Sequence, residues 1–298
     1  MTGLGSLVGR NCRLFFKDKG MFFTSLITPA ILLVLYATFL AGVYRDSFAS
    51  AIPAEVAVDK ALINATVGGQ LVSSLLAVTC VTVAFCTNLL MAQDKVTGTR
   101  GDLTITPVKP ATLALGYFLA SALSTFLVSF VALAASLIYL AIVGWYLSFA
   151  DVLLLFLEVC LLVLFGTAIS SLVNYPLSTN GQCSAVGTIV SAGYGFVCGA
   201  YMPISSFGDG LQKVLMFLPG TYGTSLIRNR VLAGVFREMS ANGFPEEVLT
   251  GIRDSIDCNL YFFGHGVSQG VMFAVLAGSV ALLVGAYCLI NVLHRQKV

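Results

Sequence analysis

The sequence predicts an all-α integral membrane protein, and three observations lead there. Hydrophobic residues make up 57% of the 298 positions. Charged residues make up only 10%, against about 25% in soluble domains. A soluble fold of this size cannot hide that much apolar surface, because area shrinks too slowly relative to mass. The apolar residues also fall into six stretches, at about 21–43, 66–91, 112–142, 151–173, 184–203 and 268–293. Each is near the roughly 20 residues a helix needs to cross a bilayer. A soluble enzyme, a secreted disulfide scaffold and a nucleic-acid binder are thereby excluded. The net charge of +2 says little about partners.

The elements follow in chain order within one membrane domain, 1–298. Residues 1–20 place Leu4, Leu7, Val8 and Phe15 near one helical face and Arg10, Arg13 and Lys17 on another. That pattern suits a helix lying in the membrane interface; the plainer reading is a basic flank that sets topology. The first span is full length, with no small-residue cleavage pattern after it, so a span and not a signal peptide is expected. Pro29 inside it should kink the helix, with Ser25 and Thr28 near the freed carbonyls. In the second span Thr66, Gln70, Ser73, Ala77, Cys80, Ala84 and Thr87 recur at steps of three and four. Such a small, polar face either packs helix on helix or lines a wet path.

The loop behind that span carries Asp94, Lys95, Gly98, Thr99, Arg100, Gly101, Asp102, Pro107, Lys109 and Pro110. It reads as a short protruding polar helix offering a docking surface, or as a plain connector. The third span is long enough to tilt or to pass the headgroups. In the fourth, Glu158 is the single acid well inside a span. An intramembrane carboxylate is costly and faces the protein interior. It is either a substrate or proton site or a paired structural residue. The fifth span repeats the small pattern with Ser184, Gly187, Ser191, Gly195, Cys198 and Met202.

Residues 204–267 hold apolar stripes too short to span, which suit re-entrant or interfacial helices. The first runs over Leu211–Leu218 and is broken at Pro219-Gly220; a second helix is expected over Thr221–Val235 with Arg228 and Arg230. Pro245-Glu246-Glu247 resembles a helix first turn, followed by an apolar face of Val248, Leu249, Ile252, Ile256 and Leu260.

Six spans leave both ends on one side. Placing them in the cytoplasm puts nine basic residues inside (Arg10, Arg13, Lys17, Lys19, Lys95, Arg100, Lys109, Arg295, Lys297) against Asp18, Asp94 and Asp102. The positive-inside bias supports that orientation, and a bacterial inner membrane is expected. The chain has no G-x-x-x-x-G-K-[ST], so it binds no nucleotide by a P-loop. Its two His, His265 and His294, leave no H-E-x-x-H motif and few ways to build a His-based metal site. No nucleophile, base and acid share one depth. The eight Cys are scattered, as small hydrophobes in membrane helices are. No catalytic or metal site is expected.

These landmarks together resemble the membrane permeases of type-2 ATP-binding-cassette exporters. The resemblance covers essentially the whole chain, and three places carry it. Arg13-Leu14-Phe15-Phe16-Lys17-Asp18 running into Ser25-Leu26-Ile27-Thr28-Pro29 is similar to the family's basic entry helix and Pro-bearing first span. Asp94, Gly98-Thr99, Leu103 and Thr106-Pro107 are similar to its loop after span two, where the family more often has Glu for Asp94 and a helix former for Gly101. Gly199-Ala200-Tyr201-Met202-Pro203, then Leu218-Pro219-Gly220-Thr221-Tyr222 with Arg228, resembles the exit from span five and the re-entrant hairpin behind it.

The resemblance implies a half-transporter: two six-span permeases pair, as a homodimer, and two separate ATPase subunits dock beneath them. ATP and Mg would sit on the ATPases and no cofactor on this chain. Asp94, Lys95, Gly98, Thr99, Arg100, Asp102 and Pro107 would form the coupling loop. Thr66, Gln70, Ser73, Glu158, Ser191 and Gly195 would line the path, with Pro219, Tyr222 and Arg228 in the outer re-entrant segment. The spread of aromatic residues favours a small or medium amphipathic cargo (drug, lipid or peptide) over a large glycan. The competing readings are an ion-coupled secondary transporter using Glu158, and an intramembrane enzyme. The unequal loops of the two halves, and the lack of a nucleophile with partners, count against them.

Overall fold

The computed structural model describes residues 3–51, 59–106 and 108–294. The order is α1 (Leu4–Lys17), α2 (Lys19–Leu35), a π-turn (Tyr36–Leu40), α3 (Ala41–Ala51), α4 (Lys60–Val96), α5 (Thr99–Ile105), α6 (Pro110–Val143), α7 (Phe149–Asn174) and α8 (Asn180–Val197). A 3₁₀ turn (Ile204–Ser206), α9 (Asp209–Leu215), α10 (Pro219–Ala241), α11 (Glu246–Ser255), the strands β1 (Leu260–Phe262) and β2 (His265–Val267), and α12 (Gln269–His294) follow.

In α1 the buried residues are Leu7, Asn11 and Phe15, four apart and therefore on one face. That face lies along α6, where Gly116 leaves room for Leu7. Asp18 ends α1 and its carboxylate accepts from Met21 N at 3.0 Å, starting α2. Pro29 sits inside α2 without ending it. The Ser25 hydroxyl donates to Phe22 O at 2.7 Å, and the widened turn comes later, at Tyr36–Leu40.

The centre of the fold is α4. Its 37 residues run about 55 Å at 1.5 Å per residue. It is buried on nearly every side by α2, α6, α7, α8 and α10, as suits a helix apolar all round. Close approach needs small residues: a Cβ on Gly166 of α7 would stand 2.9 Å from Cys80 O of α4. The main core joins α4, α6, α7, α10 and α12.

Five helices among the described residues are long and apolar enough to cross a membrane: Lys19–Asp46, Lys60–Val96, Pro110–Val143, Phe149–Asn174 and Gln269–Asn291. The chain is thus an α-helical membrane protein, with one small departure, the two-stranded hairpin. The expected fifth span, 184–203, is not among these five. Its helix runs Asn180–Val197 and stops, and it is too rich in Gly, Ser and amide side chains to rank with the other five. Gly199 turns the chain at φ +72, and Ala200 N and Tyr201 N fold back to Gly195 O at 2.8 and 3.0 Å.

Two corrections fall in 204–267. The helix expected over Thr221–Val235 is the longer α10, with Pro219 in its first turn, where a missing N–H costs nothing. The apolar face expected to continue to Leu260 breaks off at Ser255. Asp257 takes φ +55, Cys258 N donates to Arg253 O at 2.8 Å, and Leu260 opens β1. The hairpin turns on Phe263 and Gly264, both at positive φ, the combination that matches strand twist.

Candidate functional site

At one end of the molecule α4 delivers Asp94, which is 5% exposed. Its carboxylate accepts from Arg10 Nη1 at 2.7 Å, from Arg10 Nη2 at 3.1 Å and from the Tyr117 hydroxyl at 2.6 Å. Three helices, α1, α4 and α6, therefore converge on one carboxylate through short charge-assisted bonds. The hydrogen bond that Arg10 donates to Asp94 raises the pKa of its guanidinium above the ordinary value. Lys95 reaches across to donate to Tyr175 O and to Leu177 O. Its ammonium stands 5.0 Å from the Tyr175 ring centre, and the Arg100 guanidinium 5.6 Å.

Beyond this anchor Gly98 takes φ +80, a left-handed turn that glycine enters freely, and α5 begins. The Thr99 hydroxyl lies 2.9 Å from that of Thr97. No residue of α5 is buried. Leu103, packing on Leu7 and Met91, holds it, together with Arg100 over the Tyr175 ring. Gly101, Asp102 and Thr104 face outward, and Ile105 is 86% exposed. Pro107 lies outside the described residues. The residues read as one docking loop thus divide: Asp94 and Lys95 are tied into the molecule, while Asp102 points away from it, as does Ile105, which the sequence did not single out.

At the other end α10 carries three arginines. Arg228 is wholly buried. It donates to Ile256 O at 2.6 Å and Gly199 O at 2.7 Å, with longer contacts to Ser74 Oγ and Asp257 Oδ2 at 3.4 Å. Asp257 in turn accepts from Ile204 N at 2.7 Å and Ser205 N at 3.4 Å. Burial pushes the Asp257 carboxyl above its usual range, against the pull of Arg228. One guanidinium therefore fastens the turn after α8, the turn after α11 and the side of α4. Pro219 opens α10, and the Tyr222 hydroxyl donates to Met216 O at 2.6 Å, closing the end of α9.

Arg230 reaches Glu158 at 3.0 Å and Arg237 reaches Asp151 at 2.5 Å. Both acids are on α7, seven residues apart, and both arginines are on α10, seven apart. Seven residues are two turns, so the pairs form two rungs between antiparallel helices. A paired Glu158 was one of the two readings of the sequence, but its partner and the second rung were not named there, although the matched spacing was visible. Asp151 also closes the capping box with Ser148 that starts α7.

Thr66, Gln70 and Ser73 are completely buried. The hydroxyls of Thr66 and Ser73 turn back to Leu62 O and Gln70 O. Gly195 lies under the Tyr201 ring, where a Cβ would approach to 2.4 Å, and Ser191 is half-buried on α8.

A family model for the ABC-2 type transporter matches residues 2–232. The chain belongs to this family. No curated protein matches it. It is an ABC-2 type permease subunit, the multi-pass membrane component of an ATP-binding-cassette transporter. Such components work with an ABC ATPase and are generally not catalytic themselves.

Proposed function

We propose that this permease is one half of an exporter, driven by two copies of a separate ATPase that carry the ATP and Mg, and moving a small or medium amphipathic molecule outward. The observation that carries the reading is α5. A seven-residue helix with no buried residue projects from the end of the most buried helix in the permease. Such a helix needs a partner to cover Ile105, and a cleft in an ATPase would do so. A push on α5 passes through Asp94 to α1 and α6 at once.

A second copy of the permease supports the path. The outward side of α8 carries Ile189, Phe196 and Val197, respectively 69%, 50% and 36% exposed, beside Gly193. With α8 counted as the fifth of six spans, its 18 residues give about 27 Å, close to the roughly 30 Å hydrocarbon core. On this reading α9 and α10 form the re-entrant hairpin that caps the exit. The basic bias of the α5 side supports an orientation with both termini in the cytoplasm, in a bacterial inner membrane on this reading.

The test is a pull-down of the detergent-solubilised permease from its host, with mass spectrometry and an ATPase assay on what accompanies it. A P-loop ATPase near one-to-one, lost with Arg100→Glu plus Ile105→Asp, is the expected result. An ATPase-free oligomer overturns the reading.

A further inference from the structure

Between α2 and α6 a groove of about 610 Å³ opens on the flank of the permease. Both helices pack on α4 but barely on each other, so α4 forms the floor, with Leu71 and Leu75, while Pro29 and Ala135 leave the walls low. The lining is almost wholly apolar. The volume lies in the range of small-molecule sites. From Leu127 to Tyr139 the α6 wall rises twelve residues, about 18 Å. That is slightly more than one leaflet of a roughly 30 Å core.

The mouth of the groove has a different character. Phe16 and Phe22 stand there, at the elbow where α1 gives way to α2. Arg13, Lys17 and Lys19 are exposed on that elbow and form no ion pair among the described residues. Asp18 is the one acid among them, and its carboxylate is engaged by Met21 N. Three cations and one acid leave an excess of positive charge at the headgroup end of an apolar slot one acyl chain long.

We infer that this groove and elbow form a site for an anionic phospholipid of the leaflet on the α1 side, one acyl chain in the slot and the phosphate on Arg13, Lys17 and Lys19. Cationic residues at a membrane surface attract acidic lipids, and here the slot fixes where the lipid sits. Because α1 also holds Asp94 through Arg10, the occupied site stiffens the helix that braces α5. Membrane insertion is all the inference requires, so it stands or falls apart from export and from the ATPase.

The purified permease in neutral detergent would be titrated with phosphatidylglycerol and, separately, phosphatidylcholine, and bound lipid counted by native mass spectrometry. Preferential uptake of phosphatidylglycerol is expected. Its affinity should fall about fivefold for each of Arg13→Gln, Lys17→Gln and Lys19→Gln, and Ala135→Phe should remove the preference by filling the slot. Because Ala135→Phe risks misfolding, the wild type would also be labelled with phosphatidylglycerol bearing a diazirine in its acyl chain. Labelling concentrated in peptides spanning 71–79 and 127–139, and competed by unlabelled phosphatidylglycerol only, is expected. Equal uptake of the two lipids, or labelling spread evenly over the lipid-facing helices, would overturn the site.

Discussion

The two ends of α4 are secured in opposite ways. At the α10 end a buried guanidinium and two further arginine–carboxylate rungs bind α4, α7, α8, α10 and the turn after α11 into one block. At the α5 end the fastening is Asp94 with Arg10 and Tyr117, plus Lys95 on two carbonyls, and beyond it α5 rests on Leu103 and on Arg100 against the Tyr175 ring. The first arrangement resists movement; the second transmits it, since a displaced α5 pulls on three helices through the Asp94 joint. Local stability differs across proteins in this way, and the elements that move are drawn from the weaker end.

The largest expected effect tests the rigid end. Arg228→Met removes the donors to Ile256 O and Gly199 O and leaves Asp257 buried without its cation. Breaking a buried pair on one side costs about 3–5 kcal/mol, enough to abolish a monodisperse peak in fluorescence-detected size exclusion after mild heating. Arg228→Lys should not rescue it, because a single ammonium cannot reproduce the guanidinium fork. Normal melting of Arg228→Met would show that the block is held by apolar packing, and the contrast between the ends would be lost.

Next comes Asp94→Ala. The Arg10 side chain is 30% exposed and can turn to solvent, so the cost is about 2 kcal/mol, the range for charge-assisted bonds. Transport should nevertheless fall to background, since α1 and α6 no longer share a joint with α4. A melting shift as large as that of Arg228→Met would make Asp94 a structural clamp like the others.

Much of this was legible beforehand. The runs behind α4, α6, α7 and α12 are apolar enough to be read directly, and the face of α1 follows from the spacing of Leu7 and Phe15. What escaped depends on contacts between distant segments. The stop of α8 at Val197 is made by Gly199 with Arg228, 29 residues away. The end of α11 depends on Asp257 meeting Ile204 N, 53 residues away. The loop residues from Asp94 to Asp102 could be singled out, but not divided into buried anchor and exposed face, because that division is made by Arg10 and Tyr117.

Glu158→Gln is expected to act weakly. Arg230 is 19% exposed at its side chain, so losing this rung should cost about 1 kcal/mol and leave transport dependent on ATP. The pH profile of transport should be the same as the parent's. Loss of a proton-dependent step on this substitution would instead make the carboxylate part of the cargo route, and the α7–α10 rungs would no longer be read as fastening.

The smallest effect on the fold should come from Ile105→Asp. The side chain is 86% exposed and contributes to no core, so melting should move by less than about 0.5 kcal/mol, as for other surface changes. Yet a carboxylate placed where an apolar residue enters a cleft is desolvated without a partner, at a cost of several kcal/mol to binding. ATP-driven transport should therefore collapse in a permease that melts like the parent. That pairing of full stability with lost coupling separates the two ends most sharply, because no single substitution at Arg228 can produce it. If Ile105→Asp transports normally, α5 is a connector, and the flexibility of that end serves something other than an ATPase.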